Sequence, residues 1–283
     1  MKRQRWLTIV LLAAAAPCVA RAQSHPRSPA TPRIYVFDNG AIKGLDPALF
    51  NFKREELEEA DFVMASYLIV HPRGTLMFDS GGVPDSRFER DGSSVVEGVM
   101  SATEPLLPQL ASAGFGAEDV DYFALSHYHS DHTANANLFA HATWIVQKAE
   151  RDFMFADEPQ GIVQPGTYGA LRNAKTKVLD NEDFDVFGDG SVVIMSTPGH
   201  TPGHQVVAVK LASAGTIVLG GDLYHYPEER TTGRTPTFEF NAEQSRASRA
   251  RIEQYLKDTH GTLWIEHDKA TLRDLPKAPQ FVD

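Results

Sequence analysis

The segment His127-Tyr128-His129-Ser130-Asp131-His132 gathers three imidazoles and a carboxylate within six residues. It leaves a short apolar run, residues 122–126, that reads as a buried strand. Residues two apart at a strand end share a face, so His127 and His129 can converge on one cation while the following turn aims Asp131 and His132 at a second. The competing reading, a solvated loop, sits poorly with the strand before the segment and the helix expected to begin near His132. A pair of cations needs more ligands, and other strand ends are where to look for them. Thr197-Pro198-Gly199-His200 follows a strand ending at Ser196, Gly220-Gly221-Asp222 follows residues 216–219, and Ile265-Glu266-His267 closes the last strand. Glycine lets backbone come close to a crowded centre, and the Asp222 carboxylate can bridge two cations. A lone His or Asp after a strand is more often structural, so the weight lies in their joint occurrence at strand ends. Cys18, the single cysteine, lies in a segment expected to be removed, which leaves imidazole and carboxylate to build the site.

The elements that must position these groups alternate between strand and helix. With 283 residues, 42% hydrophobic and 23% charged, the chain is long enough for one sizeable core and too polar for a multi-span membrane protein. Strands are expected at 34–37, at 62–70 and 75–78 as a hairpin, at 122–126 and at 143–146, with helices over 104–113 and 148–155. A second β-rich half follows: 177–179, 184–187, 192–196, 205–211, 216–219 and 262–265, with a hairpin signal at Gly188-Asp189-Gly190. An amphipathic helix over 241–260 starts at the N-cap Asn241 and places Ile252, Tyr255 and Leu256 on one face. Strands in both halves with helices outside predict an α/β fold, an αββα sandwich.

The N-terminus reads as an export signal. Lys2, Arg3 and Arg5 precede an apolar run over 6–20, and Ala20-Arg21-Ala22 is the small-x-small pattern of a cleavage site. Residues 1–22 are therefore expected to be a signal peptide, 23–32 a flexible Pro/Ser-rich leader and 33–283 the folded domain that carries the site, in the periplasm or secreted. A membrane anchor is opposed by the shortness of the run, and a lipoprotein signal at Cys18 by Pro17. Cleavage removes four basic residues and no acid, taking the formal charge from −10 to −14. Such acidity disfavours nucleic acid and anionic membranes as partners, and oligomeric state is not legible.

Taken together, the HxHxDH segment, the downstream Pro-Gly-His, the Gly-Asp, the final His and the Asp79-Ser80-Gly81-Gly82 turn resemble the metallo-β-lactamase superfamily over about residues 33–270. Within it, residues 197–204 and the closing Trp264-Ile265-Glu266-His267-Asp268 most resemble N-acyl-homoserine lactone lactonases. That resemblance implies two Zn2+ per chain, one held by His127, His129 and His200, the other by Asp131, His132 and His267, with Asp222 shared and a hydroxide between them. Other divalent metals suit the same donors. It also implies a lactone or ester substrate opened without a Ser or Cys nucleophile, with Asp131, Asp222, Tyr224 and His225 expected to take part in the chemistry. The place three residues after the shared aspartate, a tyrosine in these lactonases, is His225 here, flanked by Tyr224 and Tyr226. Any of the three could assist, and His225 could equally be a packing histidine. A Gly-Asp-Leu-x-His stretch is similar to methyl-parathion-hydrolase-like enzymes, so a phosphotriesterase or arylesterase is the alternative.

Three further readings are weaker. A β-lactamase of this fold generally lacks the shared Asp, the 16 residues after His267 are too few for glyoxalase II helices, and a non-catalytic binding module usually loses ligands that are all present here. His204 is expected to support the site from behind it, and His25, His71, His141 and His260 to face solvent. The aromatic and glycine-rich stretch 150–175, with Phe153, Phe155, Gly161, Gly166, Tyr168 and Gly169, fits either a lid over the metals or ordinary core packing.

Overall fold

Side-chain alternation decides the layers. In the first strand, β1 (Arg33–Ile42), Ile34 and Val36 face one way, Tyr35 and Phe37 the other, and all four are buried. A strand buried on both faces must be covered on both sides. The structure, a computed structural model, describes residues 28–89, 93–157 and 161–283. The expected signal peptide and residues 23–27 of the leader lie outside the described residues.

The first sheet holds β1, β2 (Phe62–His71), β3 (Gly74–Phe78), β4 (Val95–Glu97), β5 (Met100–Ala102), β6 (Tyr122–Ala124), β7 (Thr143–Gln147) and β8 (Thr176–Leu179), in the order β4-β5-β1-β2-β3-β6-β7-β8. The second holds β9 (Phe184–Asp185), β10 (Val192–Ser196), β11 (Gln205–Leu211), β12 (Gly215–Leu219) and β13 (Thr262–Trp264), in the order β13-β12-β11-β10-β9. The sheets pack face to face through Ile34, Val36, Tyr67, Phe78 and Ile145 on one side and Val207, Val209, Ile217, Leu219 and Trp264 on the other. Helices cover the outer faces. On the first sheet, Leu106 and Leu110 of α1 (Leu106–Ser112) pack with Phe37, Met77, Phe123 and Trp144. The short α2 (Ser130–Thr133), α3 (Lys148–Met154) and α4 (Pro165–Tyr168) follow α1 in the chain. After α5 (Pro227–Thr232), α6 (Ala242–Thr259) lays Ile252 and Leu256 on Val206, Ala208 and Val218 of the second sheet, and α7 (Lys269–Asp274) follows β13. This is the expected αββα sandwich.

Most expected elements form, with corrections at their edges. The helix near His132 is a single turn, because its polar side chains are drawn to the site rather than to a helical face. The strand expected over 184–187 ends at Asp185, and its side chain accepts from Gly188 N and Gly190 N to shape the following turn. The N-cap at Asn241 holds, its side chain accepting from Glu243 N and Gln244 N. The β4–β5 hairpin and α5 carried no periodic signal strong enough to anticipate. His71 is not solvent-facing as expected. It is 2% exposed, stacks on Phe187 at 4.2 Å, and sets Nε2 3.0 Å from Asp189 Oδ2, pinning a turn of one sheet to a turn of the other. His141 and His260 are exposed, as expected. Within 150–175, Tyr168 and Leu171 are core, Phe153 stacks on Tyr128 at 4.7 Å and Phe155 meets Tyr168 edge-on, so packing prevails, and among the described residues of this stretch only Ile162 reaches the cavity beside the site.

Candidate metal centre

The strand directions put the chemistry on one edge. β3 and β6 run parallel, while β10, β12 and β13 run the same way in the second sheet, through two antiparallel pairings and one parallel one. Asp79, His127, His200, Asp222 and His267 each lie just beyond the C-terminal end of one of these strands, so a common edge brings together residues far apart in sequence.

Three groups of side chains result, the third of which, Asp79, His132 and Glu266, shares His132 with the second. His127, His129, His200 and Asp222 offer donor atoms within 4.8 Å of one another, and Asp131, His132 and His267 form the second such group. Asp222 stands between them. Its Oδ1 is 3.0 Å from His267 Nε2 and 3.2 Å from His132 Nε2, and its Oδ2 is 3.2 Å from His200 Nε2 and 3.5 Å from His127 Nε2. Asp131 Oδ2 lies 3.5 Å from His267 Nε2. All seven residues singled out in the sequence as ligands converge here.

Their outer atoms are tied down and their inner atoms are left over. His267 Nδ1 donates to the Val63 carbonyl at 2.7 Å, His132 Nδ1 is 3.1 Å from Asp79 Oδ2, and His127 Nδ1 is 2.9 Å from Ser126 Oγ. His127 Nε2, His132 Nε2 and Asp222 Oδ1 are buried with no hydrogen-bond partner among the described residues. Unsatisfied buried polar atoms are costly, and inward lone pairs with outer nitrogens engaged are what cation ligation requires. Burial, reinforced by neighbouring imidazoles, holds His127 and His129 well below the usual histidine range, so both are neutral and can donate a lone pair. Burial opposes ionisation of Asp222, yet the surrounding imidazoles, His267 and His132 foremost, hold its carboxyl well below the usual range. The donor set therefore fits a pair of divalent cations.

Supporting residues explain the glycines and the strain. His204 accepts from Asp222 N at 3.1 Å through Nε2, and its Nδ1 faces Thr197 Oγ1 at 2.9 Å, so it holds the shared aspartate from behind, as expected. Burial and the nearby His200 push it down to about 3. Gly221 has φ +46, and a Cβ there would lie 2.6 Å from Ser126 Cβ, so no larger residue fits. Asp79 takes φ 59, a left-handed conformation that costs a non-glycine residue about 1 kcal/mol or more. In exchange it accepts from Ser126 N at 2.6 Å and orients His132. Glu266, 1% exposed, adds a second carboxylate 3.2 Å from His132 Nδ1. The sequence reading assigned no role to Asp79 or Glu266; adjacency to His267 was the only signal for Glu266.

Tyr224 and Tyr226 require correction. The Tyr224 hydroxyl donates to Glu253 at 3.2 Å and its ring lies under the Arg249 guanidinium, while the Tyr226 hydroxyl donates to the Ala60 carbonyl at 3.0 Å. Neither lines the cavity; alternation along an extended segment turns both away and His225 inward. His225 sets Nε2 3.2 Å from Asp222 Oδ2 and Nδ1 3.5 Å from Glu229 Oε1. Burial pulls this imidazole down, but the two carboxylates carry it up to about 9. The cavity, about 370 Å³, opens on His129, Asp131, Asp222, His225 and His267 and is otherwise walled by apolar side chains such as Leu49, Phe50, Phe62, Val99, Ile162 and Phe238.

Known proteins share the fold. Residues 62–260 match the sequence model of the metallo-beta-lactamase superfamily, and the chain belongs to that superfamily. It is similar to the N-acyl homoserine lactonase AttM of Agrobacterium fabrum, 26% identical over 264 residues that cover 88% of this chain and 98% of that protein. The N-acyl homoserine lactonase AiiA of Bacillus thuringiensis subsp. kurstaki is 24% identical over 223 residues, 76% of this chain and 85% of that one. Among solved structures, an N-acyl homoserine lactone hydrolase with N-hexanoyl-L-homoserine at its catalytic metal centre superposes with TM-score 0.72 at 21% identity, covering 89% and 99% of the two chains. The dizinc quorum-quenching lactonase AidC gives 0.61 at 20%, covering 88% and 92%. Both support the fold.

Proposed function

We propose that the protein is a dizinc hydrolase that opens the lactone ring of N-acyl homoserine lactones. The observation that carries this reading is an apolar cavity ending on the His/Asp cluster, with no Lys or Arg among the described residues that line it. A neutral substrate with an apolar tail and a scissile carbonyl at one end matches that wall. The lactonase names of the relatives point the same way.

His127, His129 and His200 would hold one zinc, Asp131, His132 and His267 the other, and Asp222 both. Five imidazoles and two carboxylates without thiolate suit zinc, although they also accept other divalent metals. When bound, such a pair supplies Lewis acidity at a carbonyl oxygen and brings the ionisation of water toward neutral pH. The protein's own part is to hold the cluster dry and fixed: Asp79, Val63 O, Ser126 and His204 lock the ligands, and Leu49, Phe50 and Phe238 exclude water around the scissile bond. His225, the one neighbour of Asp222 aimed into the cavity that is not counted as a ligand, is placed to donate from Nε2 to the substrate's developing oxyanion.

That histidine, standing where the lactonases carry tyrosine, is also what keeps aryl esters and phosphotriesters as a second reading. A panel of acyl-homoserine lactones, aryl acetates, a phosphotriester and a cephalosporin on zinc-loaded protein decides between them. Lactones should lead in kcat/KM by at least about tenfold; a faster phosphotriester would replace the reading. His225→Ala should lower kcat about 10–1,000-fold, the range of one oxyanion donor, while Tyr224→Phe stays within about twofold. The reverse pattern in steady-state kinetics would return the role to the phenol.

We propose also that the protein is exported, on the basic start, the apolar run and the Ala20-Arg21-Ala22 site. Mass spectrometry of protein recovered outside the cytoplasm should find Gln23, or a residue close to it, at the mature N-terminus. Active cytoplasmic protein retaining Met1 would overturn this.

A further inference from the structure

We propose that Glu150 is a positioning residue that sets the cation affinity of the place formed by His127, His129 and His200, and leaves the place formed by Asp131, His132 and His267 untouched. The inference rests on reading the cluster as a two-cation centre. Glu150 lies on α3, outside both groups of ligands, and is 2% exposed. Its Oε1 accepts from Tyr128 N at 2.8 Å, and its Oε2 accepts from Thr201 Oγ1 and from Gly203 N, each at 2.8 Å. Tyr128 stands between His127 and His129, and Thr201 follows His200. These two loops leave different sheets, one after β6 and one after β10, so a single carboxylate bolts together the two backbones that carry all three imidazoles of the first place.

The contact is tight as well as polar. A Cβ on Gly203 would lie 2.6 Å from Glu150 N and 2.7 Å from Glu150 Cβ, so the loop is seated directly against the start of α3. The second place is braced by other atoms: His132 by Asp79, His267 by the Val63 carbonyl, and the chain at His132 by Ser80 N donating to its carbonyl at 2.8 Å. None of these involves Glu150. Only an ionised carboxylate offers acceptors to all three donors at once. The amide of Glu150→Gln would set an NH2 against an N–H or O–H, and the loops would part at the cost of ligand preorganisation.

The expected result is asymmetric. Loss of a support behind metal ligands costs about 10–100-fold in affinity, and here one cation of the two should bear it. Zinc affinities are read by competition with a chromophoric chelator in two backgrounds, His267→Ala, which disables the second place, and His200→Ala, which disables the first. Adding Glu150→Gln should weaken the remaining cation about 10–100-fold in the former and change it less than about threefold in the latter. Thr201→Val, which removes one donor and keeps the Glu150 side chain in place, should shift the former in the same direction by a smaller factor, and supplies the test should Glu150→Gln not fold. Equal weakening in both backgrounds, or in neither, overturns the proposal. Fewer than two zinc ions on the otherwise unchanged protein would instead overturn the two-cation reading, a separate failure visible before any Glu150 variant is made.

Discussion

Asp222→Ala should strip both cations and lower kcat/KM by at least about a thousandfold, beyond the loss from any single oxyanion donor. The carboxylate reaches both groups of ligands, Oδ1 toward His132 and His267, Oδ2 toward His127 and His200. Removing it takes a ligand from each place and the negative charge that lies between them, which offsets repulsion between two dications in a buried site. Elemental analysis and kinetics on the same preparation test this; two tightly bound metals in the variant would remove Asp222 from its shared role. Asp222→Asn, which keeps the shape and loses the charge, should fall between the variant and the parent. His204→Ala, which removes only the acceptor for Asp222 N, should cost far less than either.

The second large effect is on stability. Arg249→Leu should destabilise the fold by about 3–5 kcal/mol, because it strands a fully buried carboxylate. Glu229 is 0% exposed and Arg249 5%. The guanidinium donates to Glu229 Oε2 and to the Arg234 carbonyl at 2.6 Å each, and to the Leu223 carbonyl at 2.7 Å, so it joins α6 to Leu223, to α5 and to the turn that follows α5. In a domain of this size that loss corresponds to a fall in Tm of roughly 6–20 °C. Replacing both partners, Arg249→Leu with Glu229→Leu, should recover part of it, since no charge is then left uncompensated. Glu229 also accepts from His225 N at 3.3 Å, so kcat should fall in Arg249→Leu even where the protein remains folded. Thermal unfolding of Arg249→Leu, Glu229→Leu and the double variant checks the cycle; a shift below about 1 kcal/mol in Arg249→Leu would mean the pair is solvated in solution.

The convergence of these seven residues was legible because each is a His or Asp next to a strand end, and a sandwich edge collects strand ends whatever their order in the chain. The layers were legible for the related reason that β1, β10 and β11 are short continuous apolar runs, the mark of strands covered on both faces, while α6 keeps its apolar residues at helical spacing. The orientation of residues 224–226 was not. Three ring side chains in a row carry no period that says which faces the site, and only the packing of Tyr226 against Phe50 and Phe62, with Tyr224 under Arg249, turns His225 inward. The supports were equally silent. Glu150, Glu229 and Glu266 are acidic residues that composition assigns to the surface, and each is 2% exposed or less because its partners come from elements 20 to 134 residues away, at distances that no local pattern encodes. Sequence by itself thus determined which chemistry this chain can do and along which edge. Tertiary structure decided which groups face that edge and what holds them, because burial and long-range hydrogen bonding belong to the assembled layers rather than to any one stretch of chain.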